Sequence, residues 1–229
     1  MKAILRNILF KLLTVLFGRE KLMFLLSNNV ERTLLAFKNS GYLYDIGWVN
    51  SVITNSIVDQ KNEPLPWVTY SFIHFIQNRL QPKFEIFEYG SGNSTLYYSK
   101  KAGHIDSVEN DEGWFNTIKN QMPANVNLFY CDVVAGGDYC KYPQQTQKAY
   151  HVIIVDGRDR VNCCKQGVYS LKTDGVLVLD DSERAEYGDV VTFLTDNGFK
   201  RLDFWGLAPT VDYLKCTTIF YKTDNCLDI

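Results

Sequence analysis

The chain has 229 residues, 46% of them hydrophobic and 22% charged, with 15 Gly and 6 Pro. That is enough apolar sequence to bury a core, and it excludes intrinsic disorder, collagen-like repeats and low complexity. The formal net charge of −2 supplies no global basic field, so nucleic acid is not an expected partner. The cysteines, including the adjacent Cys163 and Cys164, show neither metal nor disulfide spacing. They predict buried free thiols in a reducing, cytoplasmic setting.

Residues 1–40 alternate apolar blocks with Lys2, Arg6, Lys11, Arg19 and Lys21. The blocks are too interrupted for a spanning helix, and Gly18-Arg19-Glu20 does not resemble a signal-peptide cleavage site. Two readings remain, with residues 1–27 helical in both. We favour a helix packed on the domain, the commoner fate of apolar helices. The other is a basic interfacial helix in peripheral contact with the inner face of an anionic membrane. Residues 41–65 form a connecting segment; Pro64 and Pro66 mark its end, after which Trp67 to Ile76 reads as an apolar helix.

From there strand and helix alternate. Strands are expected at 84–89, 104–108, 126–131, 151–155 and 176–179, with helices at 94–102, 113–121, 162–171 and 186–197 between or after them. Strands at 200–205 and 216–221 follow with no long helix between them, so they pair antiparallel. The fold class is therefore α/β: a seven-stranded, mostly parallel sheet with a C-terminal antiparallel hairpin and helices on both faces.

Polar residues collect where the strands end. Glu88, Glu109, Asp132, Asp156, Asp180 and Asp181 all fall at carboxyl ends, where open α/β sheets bind ligands. After the first strand comes Glu88-Tyr89-Gly90-Ser91-Gly92-Asn93-Ser94-Thr95. The glycines permit a tight turn and close approach to a ligand, and Ser94 or Thr95 can cap the next helix. It is not a P-loop, and Thr95 stands where a dinucleotide fingerprint needs a third glycine. Glu88 suits a cationic group better than a pyrophosphate.

These residues resemble the class I S-adenosylmethionine-dependent methyltransferases, with a Rossmann-like domain over about residues 66–222. The resemblance implies that S-adenosyl-L-methionine binds at Glu88, Gly90, Ser91, Gly92 and Thr95. It further implies that Glu109 takes the ribose hydroxyls, that Asp132 lies beside adenine and that Asp156 lies near the reacting methyl. On this division residues 1–40 are a helical segment, 41–65 a connection and 66–229 the methyltransferase domain. Within the superfamily the chain more closely resembles an uncharacterised bacterial group. The marks are Pro64-Leu65-Pro66-Trp67-Val68-Thr69-Tyr70, Val155-Asp156-Gly157-Arg158-Asp159-Arg160 and Leu179-Asp180-Asp181-Ser182-Glu183-Arg184. That likeness implies a link to surface-polysaccharide or other glycan pathways, and the expected reaction is O-methylation of a small-molecule or glycan hydroxyl.

Such an acceptor needs its proton removed, for which Asp156, Asp181 and His74 are the candidate bases. Catechol-type relatives hold a divalent metal with acids placed like Asp156, Asp180 and Asp181, so Mg²⁺ is a further candidate. The competing reading neutralises those acids with Arg158, Arg160 or Arg184, and we prefer it. The same arginines would suit an anionic acceptor unless Asp159 and Glu183 hold them. Two other functions stay open: a non-catalytic member binding a nucleoside or a partner, and a nicotinamide-dependent oxidoreductase.

Overall fold

The computed structural model describes residues 2–229, apart from the side chains of residues 2–4, 6, 24 and 25. Among the described residues six helices precede the first strand: α1 (Lys2–Phe17), α2 (Arg19–Leu26), α3 (Asn29–Ala36), α4 (Tyr42–Asp45), α5 (Trp48–Thr54) and α6 (Tyr70–Ile76). Then come β1 (Glu85–Tyr89), α7 (Asn93–Ser99), β2 (His104–Glu109), α8 (Glu112–Ile118) and β3 (Val126–Tyr130). The chain continues through α9 (Asp138–Gln145), β4 (Tyr150–Val155), α10 (Arg160–Gly167), β5 (Leu171–Asp180) and α11 (Gly188–Asp196). It closes with β6 (Lys200–Gly206) and β7 (Lys215–Tyr221).

Among the described residues the strands form one seven-stranded sheet in the order β3-β2-β1-β4-β5-β7-β6. The first five are parallel, and β7 is antiparallel to both β5 and β6, as expected. The chain leaves β1 toward β2 on one side and returns to β4 on the other. This reversal opens a crevice above the carboxyl ends of β1 and β4.

Strand alternation divides the core between the two faces. Ile86, Val152, Ile154, Val176 and Ile219 meet Phe72 and Ile76 of α6 and Tyr98 of α7. Phe87, Tyr89, Ile153, Val155 and Leu177 meet Tyr139 of α9, Cys163 and Cys164 of α10, and Leu194 of α11. β4 is buried along its whole length, as its unbroken apolar run requires. All six cysteines are free thiols.

Three features depart from expectation. α9 forms although Pro143 lies inside it, because Tyr139, Cys140 and Pro143 make a buried stripe on one helix face. The connecting segment contains α4 and α5 and docks on the domain: Trp48 Nε1 donates to Val211 O at 2.7 Å, and Thr210 N to Ser51 Oγ at 2.9 Å. The N-terminal helices run over residues 2–26 as expected, but α1 is not buried. Val15 is 85% and Leu16 70% exposed, with Leu5, Ile8, Leu9 and Leu12 exposed as well. The packed-helix expectation is corrected accordingly. The side chains of Lys2 and Arg6 lie outside the described residues. Among the described residues no helix is long and apolar enough to cross a membrane.

Candidate active site

A cleft of about 870 Å³ opens over the carboxyl ends of β1, β2, β4 and β5. One half is built by the Gly90–Gly92 turn, Glu109 to Asp111, and Trp114. The other is built by Asp156 to Arg158, Arg160, Asp180, Asp181, Arg184 and Lys215, with Asn55 to Ile57, Trp67 and Tyr213 at its walls.

The turn is tight because its backbone has no room for side chains. Gly90 has φ +85°, a left-handed conformation, and a Cβ there would lie 3.0 Å from Gly157 Cα. A Cβ on Gly157 would in turn fall 2.1 Å from Tyr139 Oη, so the loops after β1 and β4 pack back to back. A relay fixes the turn from beneath. Gly92 N donates to Thr95 Oγ1 at 3.0 Å, and Thr95 Oγ1 donates to Glu88 Oε2 at 2.5 Å.

Glu88 is therefore a buried support. Strand alternation turns it under α7, its Oε1 has no partner, and burial pushes its carboxyl up to about 7. Glu109 ends β2 with its carboxylate fixed by three backbone amides. Oε1 accepts from Asn110 N at 2.7 Å and Asp111 N at 2.8 Å, and Oε2 accepts from Ser91 N at 3.0 Å. A carboxylate offers about four acceptor positions, so one on Oε2 remains for a ligand hydroxyl. Trp114 donates its indole N–H to Ser91 O at 2.8 Å, which ties α8 to the turn.

The second half is a network of charges. Asp156 Oδ1 accepts from Arg160 Nη2 at 2.9 Å, and Asp180 Oδ1 accepts from Thr217 Oγ1 at 2.7 Å. Lys215 Nζ bridges Asp180 Oδ2 at 3.0 Å and Asp181 Oδ1 at 2.6 Å. Asp181 Oδ2 also meets Arg160 Nη1 at 3.3 Å and the Arg184 guanidinium. Burial, reinforced by Asp180, raises the Asp156 carboxyl well above the ordinary range despite Arg160. Burial raises Asp180 too, against the pull of Lys215. At Asp181 burial is outweighed by Lys215, Arg160 and Arg184, which hold its carboxyl low. Lys215 loses to burial but gains more from the two acids, and is pushed up to about 12.

The expected residues thus separate. Gly90, Ser91, Gly92, Glu109, Asp156, Asp180 and Asp181 line the cleft. Glu88 and Thr95 are buried behind it. Asp132 is exposed and accepts from the Tyr130 hydroxyl, outside the cleft lining. His74 sits on the exposed side of α6 beside Gln77, also outside the lining. Lys215 was not anticipated, and neither were the wall residues Asn55 to Ile57. The clue to the latter lay in no motif: Asn93 Nδ2 reaches back to Ile57 O at 2.8 Å and docks that segment on the turn.

A divalent ion does not fit Asp156, Asp180 and Asp181. Arg160, Lys215 and Arg184 already occupy carboxylate oxygens that would have to ligate it. Among the described residues no group of three His, Cys, Asp or Glu side chains is placed to hold a metal ion.

No family model matches the chain, and no curated protein matches it. Solved structures do. Precorrin-6y C5,15-methyltransferase from Geobacter metallireducens GS-15 is similar at 16% identity, over 67% of this chain and 88% of that one, with a TM-score of 0.54. Spermidine synthase from Thermotoga maritima is similar at 13% identity, over 67% of this chain and 58% of that one, with a TM-score of 0.51. A tRNA (m1A58) methyltransferase from Aquifex aeolicus is similar at 15% identity, over 66% and 67% of the two chains, with a TM-score of 0.48.

Proposed function

We propose that this chain, whose fold is that of the class I methyltransferases, transfers a methyl group from S-adenosyl-L-methionine to a hydroxyl of a small molecule or glycan. One observation carries the reading: the amide-fixed Glu109 carboxylate stands beside the Gly90–Gly92 turn at the crevice, with one acceptor position free. The turn would pass the donor's methionine part and Glu109 would accept a ribose hydroxyl. Thr95 stands where a dinucleotide fingerprint has its third glycine, which disfavours a nicotinamide cofactor.

When bound, the donor supplies a methyl group on a sulfonium sulfur, and in-line displacement then depends mainly on positioning. The acceptor proton needs a base, and Asp156 fits better than Asp181. Its Oδ1 is taken by Arg160, which leaves Oδ2 for proton transfer, and its raised pKa makes it the stronger base. Asp181 has both oxygens paired with cations and a lowered pKa. Arg160 acts by orienting Asp156.

Calorimetry with S-adenosylhomocysteine tests the reading. A charge-assisted hydrogen bond contributes about 1.5–3 kcal/mol, so Glu109→Ala should weaken binding roughly tenfold to a hundredfold. Unchanged affinity in a folded variant would remove Glu109 from the site.

The N-terminal helices support a location on the cytoplasmic face of an anionic membrane. Residues 1–40 carry seven basic and two acidic side chains, a net of +5, while the rest of the chain carries −7. α1 adds the exposed apolar surface that an interfacial helix buries among headgroups.

A further inference from the structure

Resting on the methyl-transfer reading, we infer that the acceptor is an anionic sugar: a hydroxyl-bearing ring that also carries a carboxylate or a phosphate. The half of the cleft around Asp156 holds three carboxylates, Asp156, Asp180 and Asp181, against four cations, Arg158, Arg160, Arg184 and Lys215.

Two of those cations are committed. Arg160 spends its donors on Asp156 and on the carbonyl oxygens of Asp156, Gly157 and Asp180. Lys215 is buried between Asp180 and Asp181. Arg184 touches Asp181 but keeps 48% of its side chain exposed.

Arg158 is exposed and makes no ion pair among the described residues. The acids that sequence offered as its partner and that of Arg184 are spent on other groups. Asp159 accepts from Gly136 N at 2.9 Å and Asn162 Nδ2 at 2.7 Å, and Glu183 accepts from Cys216 N at 2.8 Å. Arg158 is therefore left without a carboxylate partner among the described residues, at a mouth it shares with Arg184. Guanidinium groups meet carboxylate and phosphate oxygens in pairs, which makes an anion the complementary ligand.

The wall beside these cations is aromatic. Trp67 is 50% and Tyr213 59% exposed within the cleft lining. The Trp67 indole is fixed by its N–H, which donates to Pro209 O at 2.9 Å, and its ring centroid lies 5.8 Å from Lys215 Nζ. A rigid, half-exposed indole next to a cationic mouth offers a sugar ring an apolar face to lie on while its charge reaches Arg158. A neutral or basic acceptor would use the aromatic wall and leave the cation without a counterion.

Saturation-transfer NMR with glucuronic acid, glucose 6-phosphate and glucose tests this on the full chain, with and without S-adenosylhomocysteine. Binding of S-adenosylhomocysteine itself is measured separately by calorimetry. At least one charged sugar should bind roughly tenfold or more tighter than glucose. Arg158→Gln should remove most of that preference, and Trp67→Ala should weaken all three sugars. Preference for glucuronic acid assigns a carboxylate, and preference for the phosphate ester assigns a phosphate. Equal binding of all three sugars, binding of none, or a preference that survives Arg158→Gln overturns the inference. If S-adenosylhomocysteine still binds in those cases, the methyl-transfer reading stands alone. If it does not bind, that reading falls and the acceptor inference with it.

Discussion

Lys215→Met probes the charge network directly. Lys215 is 5% exposed and is the shortest contact of Asp181 Oδ1, at 2.6 Å, as well as a partner of Asp180 Oδ2 at 3.0 Å. Its ammonium is pushed from the ordinary 10.5 to about 12, which corresponds to about 2 kcal/mol of stabilisation of the charged form by the fold. A lysine raised in the folded state contributes stability that is full below about pH 10.5 and is lost as pH rises through about 12. At neutral pH the whole contribution is therefore at stake.

Methionine fills much of the stem's volume, so little of the loss is a cavity. Removing the cation also leaves Asp180 and Asp181 beside each other with only Arg160 and Arg184 in reach. Breaking a buried pair in this way costs about 3–5 kcal/mol, more than the linkage figure alone because two carboxylates are left under-compensated. For a chain of this size that is a fall in Tm of roughly 6–20 °C. Urea unfolding followed by circular dichroism at neutral pH measures it. Adding Asp181→Asn removes one of the stranded charges and should restore more than half of the loss. A loss under about 1 kcal/mol, or a double variant no more stable than the single one, would refute the account of Lys215 as the network's keystone.

Glu88 follows the same sign at lower pH, although here it is the uncharged form that the fold favours. Burial raises its carboxyl from 4.5 to about 7, so its contribution is full below pH 4.5 and lost as pH rises through about 7. Relative to wild type, Glu88→Gln should gain about 3 kcal/mol between those limits, and parallel stability–pH curves for the two proteins would contradict this. Because cations already hold the acid oxygens, Mn²⁺ followed by electron paramagnetic resonance should show no saturable site in the micromolar range, and S-adenosylhomocysteine should bind equally in EDTA. A stoichiometric Mn²⁺ site lost in Asp181→Asn would reinstate the metal. Full-length protein should float with anionic vesicles, while Val15→Glu with Leu16→Glu, at two exposed positions of α1, should not. Equal flotation of the two proteins would detach the N-terminal helices from any membrane role.

The sheet was legible because its signals are local and repeated. Short β-rich runs, each ending in an acid or a glycine, reflect a parallel sheet whose strands all end at one edge. β4 shows the strongest form, six consecutive buried residues that end in the apolar run Val152 to Val155. α9 was hidden because its stripe of Tyr139, Cys140 and Pro143 contains a residue that normally ends helices. The rule that found the acids also explains which site residues it misses. It looks at the carboxyl ends of strands, yet β7 runs antiparallel to β5, with Asp180 opposite Thr217. The amino end of β7 therefore arrives at the same edge, and Lys215, its first residue, enters the cleft from the reverse direction. Glu88 was misplaced for a related reason. It sits one residue before the end of β1 and is covered by α7, while Glu109, on the same face of the sheet two residues beyond Ser107, its register partner, is the last residue of β2 and reaches the crevice. Strand direction and distance from the strand's end, taken together, decide which acids and bases of this sheet meet a ligand. The antiparallel hairpin thereby does more than complete the sheet, since it delivers the cation that keeps Asp180 and Asp181 from serving as metal ligands.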